Sequence, residues 1–175
     1  FVTGAKSHIA LAGPANKQGR IAADHICGRR SAYTGALGTS VLKLFDLTAA
    51  STGLNEKQAR AAGVAYDKVV TYSASHASYY PGARNMTVKT LYDPATGKIL
   101  GAQIVGYEGV DKRIDVLATA IHAGLSALQL KDLDLAYAPP YSSAKDPVNM
   151  AGFMIEDLES GKVQQFHWSD VEGLP

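Results

Sequence analysis

"NMTVKTLYDPATGKILGAQIVGY", Asn85 to Tyr107, decides the fold. Two apolar, β-branched runs flank "DPATGK", whose Asp-Pro and Thr-Gly pairs are the turn chemistry that joins hairpin strands. The return run carries Gly101 and Gly106, which mark close approach by a neighbouring backbone or side chain. Working outward, "DKVVTYSAS" from Asp67 is a further strand. "TSVLKLFDLTAASTG", Thr39 to Gly53, reads as one strand or two, broken around Asp46. Downstream, Val110, Ile114, Leu117, Ile121 and Leu125 recur every three or four residues, the apolar stripe of an amphipathic helix. Strands joined by hairpins, with helices before and after them, predict an α+β fold: an antiparallel sheet with helices packed on one side. There is no βαβ alternation and no GxGxxG, so this chain carries no Rossmann signature.

Other helices have their own punctuation. "GPANKQGRIAADHICG" predicts a helix over about 14–28, with Pro14 near its start and Gly28 at its stop. Ala15, Gly19, Ala22, Ala23 and Ile26 give it a small-residue face suited to another backbone or a flat ligand. "NEKQARAAG" is a short helix capped by Asn55 and ended at Gly63, and "SALQLKDLDL" is another. Asp146-Pro147 is an N-cap followed by proline at the first helical position, opening a last helix that runs to about Leu158 and ends at Gly161.

The chain has 175 residues, 46% hydrophobic and 19% charged, with a net charge of +1. That size supports a real core, and the charge makes no case for nucleic acid or an anionic membrane surface. No apolar run approaches the ~18 residues of a membrane span, and no stretch has the pattern of a signal peptide. A single cysteine, Cys27, excludes an internal disulfide and a cysteine-based zinc site. It points to a reducing, cytoplasmic setting. Cys27 lies at a helix C-terminus, where the dipole disfavours a thiolate, and reads as a small half-buried hydrophobe rather than a nucleophile. The five histidines are scattered, and no pair has the i, i+4 spacing of a helical metal site. No metal site is expected.

Two aromatic stretches stand out. "SHASYYPGA" places Tyr79 and Tyr80 before Pro81-Gly82. "YAPPYSSAKDPVNMAG" brackets a Pro-Pro with Tyr137 and Tyr141, and that Pro-Pro bars a helix interior or a central strand. Each reads either as a rigid surface loop or as tyrosines presented to a ligand.

Taken together, "LAGPANKQGRIAADHICG", "GTSVLKLFDLTAASTGL", "YYPGA", "GKILGAQIVG" and "DLAYAPPYSSAKDPVNMAG" resemble, in this order, the pyridine nucleotide-disulfide oxidoreductases. The likeness is to their single-cysteine branch of coenzyme A-disulfide reductases, NADH oxidases and NADH peroxidases, and it covers nearly the whole chain. It implies that residues 1–34 are the end of an FAD-binding domain and residues 35–160 a dimerisation domain. Residues 161–175 are then a linker toward a rhodanese domain, since "FHWSDVEGLP" is similar to the lead-in to one. Both dinucleotide sites and the redox cysteine of the family would lie upstream of Phe1, and Cys27 does not match that cysteine. The chain is therefore expected to be part of a longer enzyme, to act as a homodimer, and by itself to bind no cofactor and to be inactive.

The resemblance also implies roles. Tyr79 and Tyr137 first, and Tyr80 and Tyr141 after them, would reach across the dimer to the partner's active-site cysteine. No histidine stands in "AYAPPYSS", so a histidine acid/base is absent there. Pro14, Ala15 and Asn16 would form a partial FAD site, with helix N–H groups aimed at the flavin. The implied function is an FAD- and NAD(P)H-dependent reductase of coenzyme A-type disulfides, polysulfides or persulfides. The alternatives are the same part of an NADH oxidase or peroxidase, or a stand-alone dimeric interaction module without catalysis.

Overall fold

Asp93 closes the decisive turn by accepting from the Ala95 N–H at 2.8 Å and the Thr96 hydroxyl at 2.7 Å. Around it, a computed structural model describes residues 1–173. In chain order the elements are α1 (Ala12–Ile26), β1 (Ser40–Leu44), β2 (Leu47–Gly53), α2 (Glu56–Ala61), β3 (Asp67–Ala74), β4 (Asn85–Tyr92), β5 (Ile99–Gly106), α3 (Val110–Ala123) and α4 (Pro147–Glu159). Short 3-10 turns lie at Leu128–Asp132 and Trp168–Gly173.

The five strands form one antiparallel sheet in the order β1-β2-β5-β4-β3. Alternation sends Ala50, Val69, Met86, Val88, Ala102 and Ile104 to one face, where they pack on α3 and α4. On α3 the buried residues include Val110, Ile114, Leu117 and Ile121, the predicted stripe. On α4 they include Val148, Ala151 and Ile155. Helix α3 lies on β2 and β5, and α4 lies mainly on β3. The small α2 is the exception to this one-sided arrangement. It covers one end of the opposite face through Ala59, Leu91 and Leu100.

Gly101 and Gly106 both stand at close approaches, Gly106 against Met86 and Val110. A Cβ at Gly101 would run into the backbone of Leu54 where that chain crosses β5. One at Gly152 would meet the Leu130 and Lys131 backbone, which lies directly on α4. That contact explains why "SALQLKDLDL" yields only a 3-10 turn. The Asn149 amide of α4 donates to the carbonyls of Leu130 at 2.9 Å and Leu133 at 3.0 Å, so they are captured from outside the segment.

Helix α1 has no buried residue, and Ile26 on its small-residue face is 86% exposed. Cys27 is likewise exposed rather than half-buried, because α1 buries no side chain at that end. Strand β1 and the hairpin tip are also uncovered: Leu42 and Leu44 are exposed, as is Phe45 at the tip, with φ +52°. Past α4 the chain follows the sheet edge, where the Gln165 amide donates to the Lys68 carbonyl of β3 at 2.7 Å. Leu174 and Pro175, the end of the expected linker, lie outside the described residues.

A polar cluster ties α2 to the sheet. Glu56 accepts from Lys68 at 2.6 Å and Lys89 at 3.1 Å. Burial pushes the Glu56 carboxyl up, but the two ammonium groups outweigh it and hold it at about 2. A depressed carboxyl contributes stability that is complete above its unfolded value near ~4.3 and is lost as pH falls through the folded value. Glu56→Gln is therefore expected to lose about 1–2 kcal/mol at neutral pH, since the pair is only partly shielded from water. Urea denaturation from pH 7 to pH 2 checks this: the gap between wild type and variant should narrow below pH ~4.

Candidate functional site

Beyond β3 the chain turns through Ser75, His76 and Ala77 to reach Tyr79 and Tyr80. The Ala77 N–H donates to the carbonyls of Ser142 at 2.9 Å and Pro139 at 3.3 Å. This knits the "SHASYY" segment to the "YAPPYSS" segment. At the surface above that seam, the hydroxyls of Tyr79 and Tyr137 lie 3.1 Å apart. The residues are 76% and 48% exposed, so Tyr79 in particular is held by little packing within the chain. The hydrogen bond to Tyr79, ahead of a smaller effect of desolvation, pushes the Tyr137 phenol above its ordinary value.

The other two tyrosines do not join this pair. Tyr80 meets the buried His76 ring edge-on, with centroids 5.7 Å apart. Tyr141 is exposed and folds back through its N–H to the Ala138 carbonyl at 2.9 Å. Beside the phenols a concavity of about 540 Å³ opens, lined by Ser75, His76, Glu108, Lys112, Tyr137 and Tyr141 among others. Tyr79 is not among its lining residues.

Beneath the seam lies a buried ion pair that sequence reasoning missed. Arg113 of α3 and Asp146, the N-cap of α4, meet at 2.9 Å with side chains 1% and 2% exposed. Asp146 also accepts from the Val148 N–H at 3.0 Å and the Ser142 hydroxyl at 2.6 Å. Burial pushes its carboxyl up, but Ser142, the Val148 N–H and Arg113 together bring it below the ordinary range. Arg113 also donates to the carbonyls of Ser75 at 2.9 Å, Gly109 at 3.1 Å and Tyr141 at 3.3 Å. A signal for this was present. Arg113 stands three residues after Val110 and four before Leu117, on the apolar stripe itself, where an arginine requires a partner.

Pro14, Ala15 and Asn16 lie at the N-terminus of α1, apart from the tyrosines. Pro14 lines a hollow with Phe1 and His122, and Ala15 one with His8; neither hollow shares a residue with the tyrosine concavity. The α1 N-cap, Leu11, offers no side-chain acceptor, and the first turn holds no acid. Its leading N–H groups are thus unmatched by side-chain acceptors, an end that favours a ligand gaining negative charge. Among the described residues, no group of three or more His, Cys, Asp or Glu could hold a metal ion. No helix among them is long and apolar enough to cross a membrane.

Comparison with known proteins gives this geometry a context. Residues 39–148 match the family described as pyridine nucleotide-disulphide oxidoreductase, dimerisation domain. Coenzyme A disulfide reductase of Staphylococcus haemolyticus is 39% identical over 153 residues, covering 87% of this chain and 34% of that protein. The crystal structure of reduced Bacillus anthracis CoADR-RHD superposes with a TM-score of 0.94 at 51% identity, over 98% of this chain and 31% of that one. An NAD-dependent persulfide reductase from A. fulgidus superposes with a TM-score of 0.93 at 41% identity, over 98% of this chain and 32% of that one. The chain spans about a third of the length of these relatives.

Proposed function

Since the chain belongs to the pyridine nucleotide-disulphide oxidoreductases through their dimerisation domain, we propose that it is the C-terminal part of an FAD-dependent NAD(P)H disulfide reductase. Its substrates are coenzyme A-type disulfides, polysulfides or persulfides, and it acts as a cytoplasmic homodimer. Residues 1–34 end the FAD-binding domain, 35–160 carry the dimer contact, and 161–175 lead out of it. The observation that carries the reading is the exposed Tyr79–Tyr137 phenol pair at 3.1 Å.

The chemistry follows from two phenols in contact. One donates to the other, so one O–H stays free to donate outward. The raised Tyr137 phenol is protonated at neutral pH. In the reading offered here, the partner subunit's redox cysteine attacks a disulfide. A new sulfur–sulfur bond forms to one half, the old bond breaks, and the other half leaves as a thiolate. The free phenol O–H donates to that departing sulfur, and the proton can follow. A neutral phenol suits this role because it stabilises the leaving group without competing as a nucleophile. Pro14, Ala15 and Asn16, with the N–H groups of the first turn, would hold the flavin, which when bound would supply the electron pair that cleaves the cysteine–substrate disulfide, releasing the second half as a thiol and restoring the cysteine. An oxidase or peroxidase reading gives the phenol pair no bulky thiol to serve.

The reading requires shared sites, and mixed dimers test it. The full protein should scatter light as a dimer. Subunits lacking the redox cysteine, paired with subunits carrying Tyr79→Phe and Tyr137→Phe, should reduce disulfide faster than either parent dimer, because one site of the mixed dimer then has both an intact cysteine and intact phenols. A monomeric active enzyme, or mixed dimers no faster than the tyrosine-variant parent, would overturn it.

A further inference from the structure

We propose that Arg113 is a positioning residue that sets the distance between the two phenols, a role that rests on the reading of Tyr79 and Tyr137 as donors. Tyr79 is largely exposed and Tyr137 half-exposed, so their 3.1 Å contact depends on the backbones that carry them. Both backbones are fastened to one guanidinium. Arg113 reaches the Ser75 carbonyl, four residues before Tyr79, and the Tyr141 carbonyl, four residues after Tyr137. It also reaches the Ser142 hydroxyl at 3.2 Å, the Gly109 carbonyl and Asp146, which begins α4. The two tyrosine-bearing segments, one through Ser75 and the other through Tyr141–Asp146, are thus indexed from α3 to a planar fork with fixed donor directions. The Ala77–Ser142 backbone bond completes the brace.

A lysine cannot copy this. Its ammonium is a compact charge that can pair with Asp146 but cannot span the fork's acceptors. Arg113→Lys therefore keeps the buried charge balance and loosens the two tyrosine segments. A misplacement of about 1 Å in a reacting geometry can cost on the order of 100-fold.

The test uses the full protein that carries this chain. Turnover with coenzyme A disulfide is measured for wild type, Arg113→Lys, Tyr79→Phe, Tyr137→Phe and each tyrosine change combined with Arg113→Lys. In parallel, tyrosine ionisation is followed by ultraviolet difference titration, with the Tyr137→Phe protein identifying the Tyr137 component. Arg113→Lys should remain a folded dimer and lose on the order of 10- to 100-fold in turnover. Tyr79→Phe added to it should cost little more, because the phenol contact is already broken. The Tyr137 component should move back toward the ordinary value of about 10. Should Arg113→Lys fail to fold, Ser142→Ala is measured in the same way, since it removes one Arg113 acceptor and one donor to Asp146 while leaving both charges in place. Fully additive losses, or an unmoved Tyr137 titration, overturn the proposal. If the wild type reduces no disulfide while the titration still moves, the positioning role stands and the reductase reading falls.

Discussion

Replacing Asp146 by alanine is expected to remove about 3–5 kcal/mol of folding stability, the usual cost of leaving one member of a buried ion pair alone. Arg113 would then sit 1% exposed with its charge uncompensated. About 1 kcal/mol of the loss belongs to the α4 N-cap, because the same carboxylate accepts from the Val148 N–H. A domain has only about 5–15 kcal/mol to lose, so the variant should be close to its unfolding threshold at 37 °C. Arg113→Met combined with Asp146→Leu should fare better than Asp146→Ala alone, since neither charge is then buried without a partner. Urea denaturation of the three proteins decides it. A loss below about 1 kcal/mol for Asp146→Ala would mean that water reaches Arg113 and that the pair is not closed.

The pH dependence has a definite sign. The Asp146 carboxyl is lowered on folding. Its contribution is therefore complete above the unfolded value near ~3.9 and fades as pH falls through the lower folded value. Asp146→Asn should be less stable than wild type at neutral pH and should approach it in acid. Glu56 acts with the same sign at the opposite face of the sheet. Acid should thus loosen both the α2 attachment and the seam under the tyrosines.

Much of this architecture was legible in the sequence, and the reason is local. The β4–β5 hairpin is written in its turn residues, and α3 in an apolar period of three to four. The Asn55 and Asp146 caps follow from residue type alone, and both form reciprocal capping boxes. Strand order was not legible. β2 pairs with β5, Thr48 to Gly106, across two intervening strands, and no local signal specifies such a pairing. The helix at 14–28 was readable, but its lack of any buried face was not, because periodicity does not say whether a partner surface is present. Arg113 was readable in principle. A charged residue on an apolar stripe is a local conflict, and such conflicts mark places where a distant partner has been built in. The tyrosines stand in two separate stretches of the sequence. They lie 58 residues apart, and only the resemblance gave a reason to join them.

Those tyrosines carry the sharpest functional consequence. Tyr79→Phe and Tyr137→Phe are each expected to slow disulfide reduction about 10- to 100-fold, the loss of one hydrogen bond to a developing charge. Phenylalanine keeps the ring, and neither hydroxyl is buried, so dimerisation and stability should be unchanged. The double variant should lose less than the product of the single losses. The two phenols share one hydrogen bond and serve one leaving group, so the second change removes little that the first has left. The half-reaction that consumes NAD(P)H should proceed at the wild-type rate in all three variants, because in this reading it takes place away from the phenols. Tyr80→Phe should behave as wild type, since its ring meets His76 edge-on rather than joining the pair. Stopped-flow measurement of each half-reaction separates these cases. If the tyrosine stretch is only a rigid loop, all four proteins should turn over disulfide alike. If the phenols act singly, the double variant should lose the full product. A loss confined to the disulfide half-reaction and less than multiplicative requires the two hydroxyls to work as one donor across the subunit boundary.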